Sequence, residues 1–422
     1  MLTTEMGGKT GCNYLGHVRR QVLKPDLLFL SRRNCCVAVF FVILAGLSGN
    51  QPGHAQSLDK ELESLLGGRC EGLKVEGLPA PGGELDTLCE GGTGGSGVGN
   101  SAGGGSSTPQ GAPGIVQERL KTARGEEDVD ATGASTEFAP GLSLFFSGEY
   151  ESLDRDVTDF ENGYDSDIGR LTAGADYQVT DTFLAGLAVT YDKHDGDFTG
   201  GGDFNNDSYG FTAFASFTPL RDLFVQATAG YAAKNYDRTR IASFTNDNGS
   251  VKGPAQGEYD GDEFSAGIMA GYDYTIGSFT IGPRLGLDVI NTDFDSYTET
   301  GSTGIELVFD DADETSLQSR LGITGSMAFS TSFGVLIPQF SGDWVYEFED
   351  DQRTESFSFA QDINKVSFQY QDEEPDREFF ELAAGVSAIL PNGWMPYAQF
   401  RTIVGHEFLD SYVGTLGIRI EL

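Results

Sequence analysis

Two histidines stand beside carboxylates in the sequence, His194 near Asp192 and Asp195, and His406 next to Glu407. A histidine within reach of a carboxylate supplies general acid and base chemistry. Both fall at the loop-side ends of strand-like segments, where a rim hydrolase could be built. The plainer reading is two exposed rim histidines. No serine sits in a strand-to-helix elbow of the Gly-x-Ser-x-Gly type, and no His, Cys and carboxylate set has metal-ligand spacing. No catalytic residue and no metal site is therefore assigned. Gly92-Thr93-Gly94-Gly95-Ser96-Gly97 formally matches a dinucleotide fingerprint, yet no strand precedes it and no helix opens on it, so no cofactor is expected. Acidic runs recur, at Asp192, Asp195, Asp197, Asp203 and Asp207, at Asp310, Asp311, Asp313 and Glu314, and at Glu347, Glu349, Asp350 and Asp351. They could bind calcium or bridge to lipopolysaccharide through divalent cations. They lack the calcium-loop pattern and read better as a solvated, self-repelling rim.

The elements that hold these residues are strands. From about Phe138 to the last residue the pattern has period two: Leu171, Ala173, Ala175, Tyr177 and Val179 make an apolar row, while Arg170, Thr172, Asp176 and Gln178 make a polar one. Twelve such segments begin near Leu142, Ile168, Phe183, Ser208, Leu223, Phe264, Phe279, Ser316, Val335, Phe379, Met395 and Tyr412. Tight turns at Thr180-Asp181, Pro219–Asp222, Gly277-Ser278, Ser330–Ser332 and Pro391–Gly393 alternate with longer acidic loops near 155–166, 192–207, 237–262, 291–314 and 348–377. The eleventh connection, around Leu409-Asp410, is shorter than its peers.

A soluble sandwich has no reason to sort long loops from short ones, whereas a membrane barrel does, with each strand showing apolar side chains to lipid and polar ones to the lumen. Aromatics near strand ends, such as Tyr150, Tyr191, Tyr231, Trp344, Trp394 and Tyr412, suit interfacial girdles. Charges of both signs fall on the lumen side: Glu149, Arg170, Asp176, Arg284, Asp288, Arg320, Asp343, Glu381, Arg401 and Arg419. The expected fold is all-β, a twelve-stranded antiparallel transmembrane β-barrel over residues 142–422.

Of the 422 residues, 27 are Lys or Arg and 64 Asp or Glu, a net charge of −37 that excludes nucleic acid as a partner. No segment is apolar enough for a membrane-spanning helix. Residues 1–55 read as a signal peptide: Arg32 and Arg33 precede an apolar run from Cys36 to Leu47, and Gly53-His54-Ala55 follows with small residues where a signal peptidase reads. Of the cysteines beyond it, Cys70 and Cys89 form an even pair and are expected to make a disulfide within residues 56–90. Residues 91–114 are a Gly/Ser-rich linker. Ile115 to Arg124 reads as a short helix, with Val116, Leu120 and Ala123 on one face, Pro113 ahead and Gly125 behind.

An export signal, an extracytoplasmic segment, a short helix and then twelve strands together resemble the autotransporter family of type V secretion, over about residues 115–422. The resemblance implies that the helix, with Ile115, Val116, Arg119, Leu120, Lys121 and Arg124, occupies the barrel lumen. It also implies that the passenger ahead of the helix reaches the cell surface and that the last strand is an assembly signal. On this chain that strand's outward row is Tyr412, Gly414, Leu416, Ile418, Ile420 and Leu422, ending on Leu422 where the family usually has an aromatic. The passenger is too short for the family's long β-helix. The partners implied are outer-membrane lipid and lipopolysaccharide, the barrel-assembly machinery and periplasmic chaperones, around a monomer. The expected function is an outer-membrane translocator and no enzyme. A small-solute channel with the same barrel, or an adhesin acting through the acidic loops, are the alternatives.

Overall fold

The computed structural model describes residues 141–158, 160–246 and 249–422. The stretches read as signal peptide, passenger with Cys70 and Cys89, linker and the helix Ile115–Arg124 lie outside the described residues. Period-two sequence becomes two-faced strand from the first element. In β1 (Leu142–Arg155) Ser143, Phe145, Ser147, Glu149, Glu151 and Leu153 are buried inward, while Leu144, Phe146 and Tyr150 point out, 44%, 51% and 57% exposed. β2 (Tyr164–Thr180), β3 (Phe183–Phe198), β4 (Gly202–Leu220), β5 (Leu223–Asn246) and β6 (Gly249–Tyr272) follow. β7 (Phe279–Phe294), β8 (Ala312–Met327), β9 (Gly334–Glu347), β10 (Glu378–Ile389), β11 (Trp394–Val404) and β12 (Leu409–Glu421) complete the wall. Each strand pairs antiparallel with the next in sequence, and β1 pairs with β12, so the sheet closes into a twelve-stranded barrel with no open edge.

The outward row is apolar and exposed on every strand. Leu171, Leu187, Phe211, Ile268, Leu285, Leu321, Phe380 and Leu416 all show 44% or more of their surface, an arrangement that water opposes and hydrocarbon favours. Inside, the polar side chains of the inward rows are buried, with Ser147 at 0% and Thr212 at 1% exposure. Several inward aromatic rings moreover lie along the wall instead of across the bore, each over a glycine of the neighbouring strand. A Cβ added at Gly174 would come within 2.3 Å of the Phe145 ring, and the same distance separates Gly186 from Phe214, Gly271 from Phe224 and Gly417 from Tyr397. A methyl at any of these positions would push a ring into the lumen.

The two rims differ from the expected pattern on one side only. At the turn rim the connections are tight, as between Leu220 and Leu223. At the opposite, loop rim, the acidic stretches 192–207 and 237–262 are not loops. β3 and β4 run on to a turn at residues 199–201, and β5 and β6 stay paired to Asn246 and Gly249. Gly201 and Gly202, at φ +92° and +98°, make the first of these turns. The outer row there is polar because it has left the membrane, so the apolar alternation fades while the hydrogen-bonded ladder continues. Stretches 291–314 and 348–377 contain a second, four-stranded antiparallel sheet, made by Tyr297–Thr298, Leu307–Phe309, Thr354–Phe359 and Phe368–Gln371.

Candidate functional site

The barrel wall brings its inward charges into register. Arg170 of β2 bridges Glu149 of β1 and Asp192 of β3, and Thr415 donates to Glu149 at 3.0 Å. Arg401 approaches the same carboxylate at 3.9 Å. Arg284 forks onto Asp343 from two strands away. Arg320 lies between Asp288 at 3.0 Å and Glu381 at 3.2 Å. Arg419 reaches Asp176 at 3.6 Å and donates to Ser143 at 2.7 Å. The residues read from the sequence as lumen charges thus stand on the inward rows of β1, β2, β7, β8, β9, β10, β11 and β12. Lys234 with Glu263, Glu151 and Glu347 share those rows, and inward carboxylates outnumber inward cations. Tyr412, Gly414 and Leu416 of β12 face outward and exposed, with Ile418 and Ile420 in phase with them.

Above these charges the loop rim narrows through two apolar layers that sequence reading missed. The lower is a collar of inward residues from eight strands, Leu153, Tyr164, Phe198, Phe204, Val345, Phe379, Ile403 and Leu409, packed as one buried cluster. The upper is the core of the second sheet, where Ile305, Leu307, Phe309, Phe357, Phe359, Phe368 and Tyr370 pack on Ala242, Phe244 and Ala255 of the β5–β6 hairpin. Rings stack continuously from the wall into this sheet: Tyr236 on Tyr259 at 4.8 Å, Tyr259 on Tyr297 at 4.4 Å, and Tyr297 on Phe309 at 4.8 Å. Arg240 of β5, fully buried, forks onto Glu299 at 2.8 and 2.5 Å and ties the sheet's base to the hairpin. The signal was present as Leu307-Val308-Phe309 and Phe357-Ser358-Phe359, period-two apolar runs inside stretches that a solvated rim would leave polar.

The far end of this sheet meets the β1–β2 loop. The Tyr370 hydroxyl donates to the Phe160 carbonyl at 2.6 Å, and the Glu373 amide donates to Glu161, which also pairs with Arg155 at 2.6 Å. Burial raises the Glu161 carboxyl to about 7, outweighing the Arg155 guanidinium, with Asp372 adding to the rise and Arg353 opposing it. A carboxyl whose folded pKa is raised contributes stability that is present in full below its ordinary 4.5 and lost as pH rises through about 7. Glu161→Gln should therefore match the parent in thermal midpoint near pH 4.5 and gain on it steadily toward pH 8, measured by heat-modifiable gel migration. A constant difference across that range would contradict the burial of this carboxyl.

The histidines depart from the exposed rim placement. His194 is 3% exposed, pointing inward with its ring edge-on to Phe204 at 5.0 Å. His406 packs tilted against Phe379 and edge-on to Phe408, and its Nδ1 lies 3.7 Å from Asp376. It lines an open pocket together with Arg155, Glu314, Glu347 and Arg353. Burial lowers His406 to about 4 against the pull of Asp376, so the ring is neutral and a weak base near neutral pH. On the outer surface a diagonal motif repeats: Tyr150 donates to Asp167 at 2.6 Å, Tyr191 to Asp207 at 2.6 Å, Tyr231 to Asp262 at 2.5 Å and Trp344 to Glu378 at 3.2 Å. In each, the carboxylate stands two residues nearer the loop rim than the aromatic's own register partner, marking where hydrocarbon ends. Beyond it Asp410, Asp154, Asp165, Asp197 and Asp203 face one another across five adjacent strands. Among the described residues no group of three His, Cys, Asp or Glu is arranged to hold a metal ion.

The model of the autotransporter beta-domain family matches residues 144–401, most of the barrel. The chain belongs to the autotransporter family. Outer membrane protein A of Rickettsia conorii is 27% identical over 310 residues, which are 70% of this chain and 14% of that protein. Outer membrane protein B of Rickettsia prowazekii is 24% identical over 204 residues, 45% of this chain and 12% of its own. The chain therefore corresponds to a small part of the length of these relatives. Among solved structures, the translocator domain of the autotransporter NalP from Neisseria meningitidis aligns with a TM-score of 0.53 at 13% identity, covering 74% of this chain and 96% of that one. The β-domain of the Bordetella autotransporter Brka gives 0.50 at 16% identity, covering 67% and 100%. These likenesses carry the fold. The family and the outer membrane protein relatives set this autotransporter barrel in the bacterial outer membrane as a type V secretion translocator.

Proposed function

We propose that the barrel conveys its own residues 56–114 to the cell surface, after removal of the signal peptide 1–55, and holds the helix Ile115–Arg124 in its lumen. The observation that carries this reading is the position of Leu142. Its carbonyl accepts from the Leu422 amide at 3.0 Å at the turn rim, so both ends of the barrel sequence lie on one side. Short turns face the periplasm in such barrels, so residues ahead of Leu142 reach the outside only through the lumen. A ten-residue helix is about 15 Å long, roughly half the hydrocarbon thickness, and residues 125–140 would span the rest as extended chain. Asp176, Asp288 and Asp343 each already face a wall arginine, so Arg119, Lys121 and Arg124 would meet the carboxylates left in excess. The barrel is a monomer in lipid and lipopolysaccharide. Periplasmic chaperones deliver it, and the assembly machinery reads β12. Neither the barrel nor the passenger is an enzyme. Ser106→Cys, with Cys70 and Cys89 replaced, should react in intact cells with a thiol reagent that does not cross membranes. Labelling seen only after permeabilisation would overturn surface display.

A further inference from the structure

The far end of the four-stranded sheet holds a set of hydrogen bonds that only one protonation state satisfies. The sheet is tied to the barrel on one side, where Arg240 forks onto Glu299 and Thr300–Gly301 pair with β6. On the other side Phe368–Gln371 is an edge strand, paired with Thr354–Phe359 alone. That edge meets the β1–β2 loop where the Tyr370 hydroxyl stands 2.6 Å from the Phe160 carbonyl oxygen. Two oxygens so close repel unless a hydrogen lies between them, so the one phenol hydrogen is committed to Phe160. Asp372, 1% exposed, is also hydrogen-bonded to the Tyr370 hydroxyl, while its Oδ1 has no partner. With the phenol hydrogen already used, the hydrogen of this second bond must come from Asp372. A carboxylate has none to give, and a carboxylic acid has one.

The surrounding charges favour the acid form. Arg155 of β1 holds Glu161 at 2.6 Å, and Arg353 holds Glu314 of β8 at 2.6 Å, so both guanidiniums are already paired with other carboxyls. Arg238 of β5 lies over the Phe198 ring at 5.1 Å and attracts Glu355, which burial and then Asp372 push well above the carboxylate range. Burial raises Asp372 against the pull of Arg353. Fully ionised, Glu161, Glu314, Glu355 and Asp372 would outnumber the three guanidiniums. His406, on the β11–β12 connection and in the same pocket as Arg155 and Arg353, is held neutral above about 4 by burial. Tyr164 of β2, which faces Glu161, is pushed up to about 12 by burial and stays neutral as well.

We infer that Phe160, Tyr370 and Asp372 form a proton-operated latch, which fastens the sheet's free edge to the β1–β2 loop in acid and releases it as the surroundings turn neutral to alkaline. When Asp372 gives its proton to solvent it becomes an acceptor only, and the phenol hydrogen turns to the stronger, charge-assisted bond with the new carboxylate. The Phe160 carbonyl then loses its donor. Ionisation of Glu161, which accepts from the Glu373 amide in the same contact, sets a second negative charge against Asp372. Both carboxyls lie above their ordinary 3.8 and 4.5 in the folded chain. The latch therefore holds fully below those values and is lost as pH rises, through about 7 for Glu161. The loop rim lies opposite the short periplasmic turns, so the pH that works the latch is that of the medium. None of this depends on where residues 56–114 end.

The test is a distance measurement between spin labels at Asp165→Cys on β2 and Gln369→Cys on the edge strand, both exposed positions, in the full chain with its five native cysteines replaced. Heat-modifiable migration certifies that each barrel has assembled. The parent should show a single short distance at about pH 5 and a second, longer one whose share rises severalfold by about pH 8. Asp372→Asn puts an amide donor in place of the acid and should keep the short distance at both pH values. Tyr370→Phe should show the longer distance at both. A distribution in the parent that does not change with pH would overturn the latch. So would an Asp372→Asn chain that responds to pH as the parent does, or a Tyr370→Phe chain that keeps the short distance in acid. Should either variant fail to assemble, the parent series decides alone.

Discussion

Leu321→Arg and Ala215→Arg lower the stability of the barrel by roughly 2–4 kcal/mol, the cost of a basic side chain at mid-depth in lipid, whereas Thr324→Arg loses far less. Leu321 is 54% exposed on the outward row of β8, and Thr324 is 8% exposed on its inward row, three residues away. The outward guanidinium has only hydrocarbon around it. The inward one reaches a polar bore that already carries Arg284, Arg320 and their carboxylates. Urea unfolding in detergent micelles, with heat-modifiable migration of the parent as control, reads both classes of variant. Equal losses on the two faces would contradict the assignment of sides.

Removing Ile420–Leu422 should abolish assembly. The truncation deletes the pairs Leu144↔Ile420 and Ser143↔Glu421 on one side of β12 and Trp394↔Ile420 on the other. It also removes the Leu422 amide that closes the ladder onto Leu142. Backbone groups freed there have no water to turn to at the edge of the hydrocarbon, and each costs several kcal/mol. Leu422→Phe keeps the ladder and should preserve or raise the outer-membrane level. Normal levels of the truncated chain would remove the role given to this strand.

The barrel was legible because lipid imposes a stricter rule than water does. Between the girdles each strand must show an apolar row to hydrocarbon, so Leu171 to Val179 or Ala266 to Tyr274 announce both a strand and its facing. Above the girdles that demand ends. Asp192 to Asp207 carry Lys193, Asp195, Asp197 and Asp203 outward, and with the outer row polar only Phe198 and Phe204 keep the inward phase. The strand ends were therefore read as loops. The rim histidines were misplaced for the same reason, since His194 belongs to a strand that continues past its apparent end. The second sheet was hidden by length: its strands run from two to six residues, too short to show a period alone, and its central pairing, Leu307–Phe309 with Thr354–Phe359, joins two separate loops. Which arginine meets which inward carboxylate follows from register across strands, and no single strand's pattern states it.

The closed ring also dictates the order in which the chain folds. Eleven of the twelve strand pairings join neighbours in sequence, but the β1–β12 seam joins groups 260 to 276 residues apart, such as Ser411 with Glu151 and Arg419 with Ser143. Loop-closure entropy grows as the logarithm of length, so this one pairing costs on the order of 4 kcal/mol more than a hairpin. That cost is met only when the intervening strands are already in place. Before then the sheet has two raw edges, β1 and β12, able to pair with any other strand. Non-local pairing of this kind slows folding and prolongs exposure to misassembly. The meeting of its first strand with its last is the most non-local pairing this topology requires.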